Sequence, residues 1–137
     1  MNSRNLIRWT GVAAMAAGII YAGVQPIHPP DVLASVTTDA WAIIQSFKLA
    51  MALLFLVGMT GLYARQVKEA GWLGLAGYLL FSLFWAMIVP YGFANAFILP
   101  LLATDAPTFV ESFLGMYSGQ PGEMNLGALA TIWKVSG

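Results

Sequence analysis

The chain has 137 residues, 59% hydrophobic and only 9% charged, against about 25% charged in an ordinary soluble domain, and its mean hydropathy of +0.75 points to lipid as the solvent. Formal net charge is zero, which leaves no basic face for nucleic acid. The absence of cysteine excludes disulfides, thiolate metal sites and cysteine nucleophiles.

In chain order, residues 9–24 form a first uncharged run behind Arg4 and Arg8, and Leu6 and Ile7 extend it backwards to a first span of 6–24. A retained membrane helix competes here with a cleaved signal peptide ending near Ala22 and Gly23, and the apolar runs that follow favour the helix. Ala14, Gly18 and Ala22 make a small-residue row able to seat another helix closely. Pro26, Pro29 and Pro30 forbid helix in the next segment, 25–40, because proline lacks the N–H and its ring clashes with the preceding turn. A short turn at 31–36 precedes Thr38 or Asp39, either of which can cap the second helix.

Residues 41–63 and 72–90 form the second and third apolar runs. Each is about the 20 residues that cross a bilayer, and a short charged turn at 64–71 joins them as a hairpin. Trp41 falls where an aromatic belt residue would sit. Gly71, Gly74 and Gly77 line one edge of the third run. The apolar stretch continues past Pro90 to residue 103. A straight helix over 72–103 would be about 48 Å long, against about 30 Å of hydrocarbon, so a break is expected at Pro90 with 91–103 near the outer interface. Pro90 and Pro100 each deprive a carbonyl one turn earlier, that of Ala86 and that of Ala96.

Residues 107–117 carry Phe109, Val110, Phe113, Leu114 and Tyr117 on one stripe, and Thr108 and Glu111 stand at capping-box spacing. This predicts an amphipathic helix flat on the outer surface. A turn follows at 118–122. Residues 125–137 begin a fourth apolar segment too short to span, as expected if the chain is a piece of a longer protein.

The cations sort by loop. Arg4, Arg8, Arg65 and Lys68 flank the first span and the hairpin tip, whereas the segments 25–40 and 104–124 contain no Lys or Arg. The positive-inside rule puts the former in the cytoplasm. The expectation is an all-α membrane protein of the plasma (bacterial inner) membrane: a helical bundle of three transmembrane spans (6–24, 41–63, 72–90), an outer amphipathic helix and a partial fourth span, as one domain.

Three groups of residues are candidates for function. Trp41, Gln45 and Lys48 share one helix face. An intramembrane lysine is costly and marks an anion site, a carboxylate pair with Asp39 or Asp105, or a proton path, unless its stem simply snorkels to the headgroups. Pro90, Asn95 and Pro100 form a helix break that could host an ion or only a kink. His28 is the single histidine, with Asp31 as its one ligand-type neighbour, and it reads as a loop residue or a weak ligand. The seven methionines suit packing better than haem ligation. Lys134 would need a partner if residues 125–137 entered the membrane. No phosphate loop, HExxH or nucleophile elbow occurs, so no catalytic set, metal or cofactor is expected.

The run LVGMTGLYARQVKEAGWLGLAGYLLFSLFW (56–85) pairs a helix end at Gly61, Leu62, Tyr63 and Arg65 with a charged turn and a glycine-spaced helix start. In this it resembles a class of uncharacterised bacterial multi-pass membrane proteins. The resemblance implies further helices and no known reaction. Two functions remain open: a non-catalytic accessory or scaffolding subunit packed against other membrane proteins, and a transporter or channel component using Lys48 and the break at Pro90, Asn95 and Pro100.

Overall fold

The computed structural model describes residues 3–120 and 122–136. Met1, Asn2, Pro121 of the expected turn at 118–122 and Gly137 of the expected 125–137 segment lie outside it. The described residues are mostly helical, without strands: α1 (Ser3–Val24), a 3-10 turn (Gln25–Ile27), α2 (Leu33–Val36), α3 (Asp39–Phe93), a π-turn (Ala94–Ile98), α4 (Leu99–Leu102), α5 (Pro107–Ser118) and α6 (Ala128–Ser136). Pro26 does not stop the helical chain as expected, because in the first turn of the 3-10 segment its missing N–H is not needed. Two stretches are long and apolar enough to cross a membrane, Arg4–Ile27 and the 64-residue run Asp39–Leu102.

Helix α3 starts where expected. Thr38 caps it, its Oγ1 accepting from Trp41 N at 3.2 Å, and Asp39 in the first turn complements the helix dipole. The expected charged turn at 64–71 is mostly helix: α3 runs on to residue 70 and reverses at Gly71 alone, at φ 55° and ψ −152°. That conformation is open in practice only to glycine. Two antiparallel limbs result, 39–70 and 72–93, zipped by ring pairs almost symmetric about Gly71. Tyr63 stacks on Tyr78 at 4.6 Å, and Phe55 on Trp85 at 4.6 Å. The Thr60 hydroxyl donates to Leu56 O, so at 3.2 Å it accepts from the Tyr78 hydroxyl.

Helix α1 packs antiparallel on the first limb through glycine. A Cβ on Gly58 would lie 2.7 Å from Ala14 Cβ, and one on Gly61 would fall on the Thr10 side chain. The buried row of α1 is therefore Thr10, Ala13, Ala17 and Val24. Of the expected row, Ala14 meets Gly58, but Gly18 and Ala22 face outward. At the other glycine edge a Cβ on Gly74 would fall on the Ala70 side chain across the reversal, whereas nothing lies within 4 Å of one on Gly77.

The long helices expose much of their apolar surface: Ile19 is 70% and Leu80 69% exposed. The well-packed core lies instead at the end away from Gly71. There Val36, Trp41, Tyr91, Leu99, Val110 and Phe113 pack together. This corrects three expectations. The stripe of α5 is buried against the chain itself, with Val110, Phe113 and Leu114 inside. Its N-terminus has Pro107 in the first turn after Ala106 and no side-chain cap, so Thr108 and Glu111 form no capping box. Trp41 is fully buried core and no belt residue. Helix α6 leans on the same cap, with Tyr91 donating to Leu129 O at 2.7 Å and Trp133 against Tyr91 and Tyr117.

The helix also passes through the expected break at Pro90 and stays helical to Phe93. Proline costs one hydrogen bond there, and packing of the next residue, Tyr91, into the cap core holds the helix together. The irregularity comes later, in the π-turn, where Leu99 N donates to Ala94 O, five residues back. In that register the next donor should serve Asn95 O, but it belongs to Pro100, which has none. The orphaned carbonyl is therefore that of Asn95 rather than Ala96, and Trp41 Nε1 donates to it at 2.9 Å.

Candidate functional site

The antiparallel packing sets Arg4, Arg8, Arg65 and Lys68 at the Gly71 end. Asp31, Asp39, Asp105, Glu111 and Glu123 belong to the capped end. Just inside the cap, where α3 meets the π-turn, α5 and α6, lies a cavity of about 180 Å³ lined in part by Asp31, Gln45, Lys48, Asn95, Tyr117 and Trp133.

Each polar wall has a structural reason. Gln45 and Lys48 sit one turn apart on the first limb, on the face that Trp41 anchors. Lys48 bonds neither Asp39 nor Asp105, and its stem reaches towards the 25–40 segment at the capped end. Its Nζ lies 2.9 Å from His28 Nε2. Pro29 and Pro30 hold His28 out of helix, and the imidazole stands edge-on to Trp41 at 6.4 Å. His28 Nδ1 lies 2.6 Å from Pro29 O. A carbonyl can only accept, so Nδ1 carries the proton and Nε2 offers a lone pair to the lysine ammonium. Asp31, exposed at the rim, adds a negative charge facing Lys48.

Asn95 comes from the π-turn. Its Nδ2 donates to the Tyr117 hydroxyl at 2.7 Å, which leaves the phenol proton available to a further acceptor. Burial pushes the Tyr117 phenol well above its ordinary value; the bond from Asn95 pulls it down, and the Asp31 charge raises it again. Tyr117 is thus a neutral hydroxyl throughout the physiological range.

Two groups in the wall have no protein partner among the described residues. Gln45 is 0% exposed, yet neither its Oε1 nor its Nε2 is hydrogen-bonded, and Asn95 Oδ1 is likewise unmatched. Leaving a buried amide unpaired costs about 1–3 kcal/mol, and π-turns concentrate at functional positions.

Of the predicted residues, the cavity gathers Gln45, Lys48 and Asn95, with His28 bonded to Lys48 and Trp41 packed behind. Pro100 acts at a distance by orphaning the Asn95 carbonyl. Pro90 is elsewhere, in an apolar cleft of about 350 Å³ with Met87, Phe113 and Ile132. Lys134 is exposed at a separate pocket beside Glu123. Sequence reasoning missed Tyr117 and Trp133 as site residues, and only their aromatic character on an amphipathic segment could have suggested them. Among the described residues no three His, Asp or Glu side chains gather as a metal site would require. Comparison with protein-family models, with curated proteins and with solved structures finds no match for this chain.

Proposed function

We propose that the chain is a multi-pass protein of the bacterial inner membrane whose outer end holds a solute-binding chamber, as a transporter or channel component does. Membrane residence is supported by the exposure of the long helices: only 22% and 28% of their apolar windows are buried, whereas the core helix of a soluble protein hides its apolar side chains. The fold-back at Gly71 supports counting three spans, since each limb alone is long enough to cross. The basic Gly71 end then lies in the cytoplasm and the acidic cap outside.

The observation that carries the chamber is Gln45, a fully buried amide with both ends unpaired, beside Lys48 on the wall of the cavity. A scaffold has no use for such a group, and apolar packing would be more stable there. The accessory-subunit reading keeps two supports: the outward small residues Gly18, Ala22 and Gly77, which could seat a partner helix, and the apolar cleft at Pro90, which a partner helix or an acyl chain could fill.

The chain lacks cysteine, so single-cysteine labelling separates the two readings. In intact cells a small membrane-impermeant thiosulfonate should modify Gln45→Cys, and neither Ile19→Cys in the lipid nor Lys68→Cys inside. A Gln45→Cys as unreactive as Ile19→Cys would leave the packing subunit as the better reading.

A further inference from the structure

We infer that the chamber takes a small monocarboxylate carrying one further hydrogen-bond donor, such as a hydroxyl or amino group next to the acid; this rests on the chamber reading above. The wall offers both donors and acceptors. Lys48 spends one of three ammonium donors on His28 Nε2, and both Nε2 donors of Gln45, one turn away, are unmatched. Two donor groups one helical turn apart, one of them charged, suit the two oxygens of a carboxylate. Asn95 Oδ1 on the π-turn is an unmatched acceptor, as is Oε1 of the same Gln45 amide, and these ask the ligand for an O–H or N–H.

Charge and size narrow the class. Among the described residues Lys48 is the one cation lining the cavity, and Asp31 at the rim faces it. A second anionic group would meet Asp31 without a cation to balance it, which disfavours dicarboxylates and phosphate. A volume of about 180 Å³ holds about six waters at 30 Å³ each, enough for a molecule of three to five carbons and too little for a nucleotide. Met51, Ile88 and Trp133 supply an apolar side for a short hydrocarbon tail. The exposed Asp31 marks the aqueous entry, so the ligand is a free solute.

The test is calorimetric titration of the full chain in phosphatidylcholine nanodiscs with L-lactate, L-alanine, propionate, succinate and inorganic phosphate. Lactate or alanine should bind at least ten-fold more tightly than propionate, which keeps the carboxylate and lacks the donor, and more tightly than succinate or phosphate. Gln45→Met, similar in shape but without amide atoms, should lose ten-fold or more for lactate and much less for propionate. Should that variant not fold, the ranking on the native chain decides. Propionate matching lactate, or succinate or phosphate binding best, would overturn the ligand class. So would the absence of all binding while Gln45→Cys is labelled from outside. Absence of both binding and labelling would instead remove the chamber itself.

Discussion

Lys48 Nζ lies 2.9 Å from His28 Nε2, joining a helix lysine to the single histidine of the preceding loop. The pairing fixes the imidazole as the Nδ1–H tautomer, because Pro29 O occupies the other nitrogen. One histidine gives one imidazole spectrum in a preparation without a histidine tag. Solid-state ¹⁵N NMR should show a protonated Nδ1 and a bare, hydrogen-bonded Nε2. In Lys48→Met the Nε2 resonance should move to that of an unbonded nitrogen; an unchanged spectrum would mean that the ammonium is not its partner.

Trp41→Phe keeps an aromatic ring in the cap core, removes the Nε1 donor and leaves a cavity where the second ring of the indole was. Asn95 O then has neither Trp41 nor Pro100 to serve it. The orphaned carbonyl costs about 1–3 kcal/mol and the cavity adds to it, read together as a lower unfolding midpoint in detergent. The damage should be local, with faster amide exchange around residues 94–99 than around the limb pairs near Tyr63.

Gly61→Ala should destabilise the α1 contact by about 1–3 kcal/mol through overpacking against Thr10. Gly18→Ala, with open space around its Cβ, should be neutral or raise stability by up to about 0.5–1 kcal/mol through helix propensity. Equal effects at the two positions would contradict the packing face assigned to α1.

Gly71→Ala forces a side chain into a backbone region that costs about 1–3 kcal/mol. Gly77→Ala, six residues on in regular helix with free space, serves as the control and should be tolerated. Stability in mild detergent, followed by the helical circular dichroism of the chain, distinguishes the two.

Tyr117 gives a pH signature outside the long helices. Its phenol is held above the ordinary 10.0, so the unfolded chain releases this proton before the folded chain does. Below about pH 10 the residue adds no pH dependence. Above it, folded stability falls as pH climbs towards the raised value. Tyr117→Phe should therefore soften alkaline unfolding and leave unchanged the tyrosinate absorbance of the folded protein near pH 10–11.

What could be read from the sequence alone was local or periodic. Thr38 as a cap, the start of α5 at Pro107 and the sorting of Arg and Lys all depend on near neighbours. The reversal was read too broadly, since Arg65 and Lys68 suggested a loop where a helix simply runs on before Gly71 turns it. Trp41 read as a belt residue because its partner carbonyl stands far along the chain, and a tryptophan N–H looks the same whether it meets water or a buried oxygen. Lys48 and His28 were each noticed, but nothing local says that the proline segment folds back over the helix to join them. Asn95 and Pro100 mark an irregularity in the sequence, but nothing local says that it takes the form of a π-turn at 94–98, because that depends on a donor supplied from the first limb.

That turn has a consequence for how the chain can vary. It stores one more residue than an α-helix of equal rise, and the surplus points Asn95 at the chamber while Leu99 still reaches the cap core. Delete one residue of 94–98 and the stretch can relax to a regular helix of the same rise, which leaves Leu99 in its seat in the cap core and removes the surplus that turns Asn95 towards the chamber. Substitutions on the outer faces of the limbs leave this arithmetic untouched. Between Tyr91 and Pro100 the number of residues, and not only their identity, decides whether Asn95 faces the chamber.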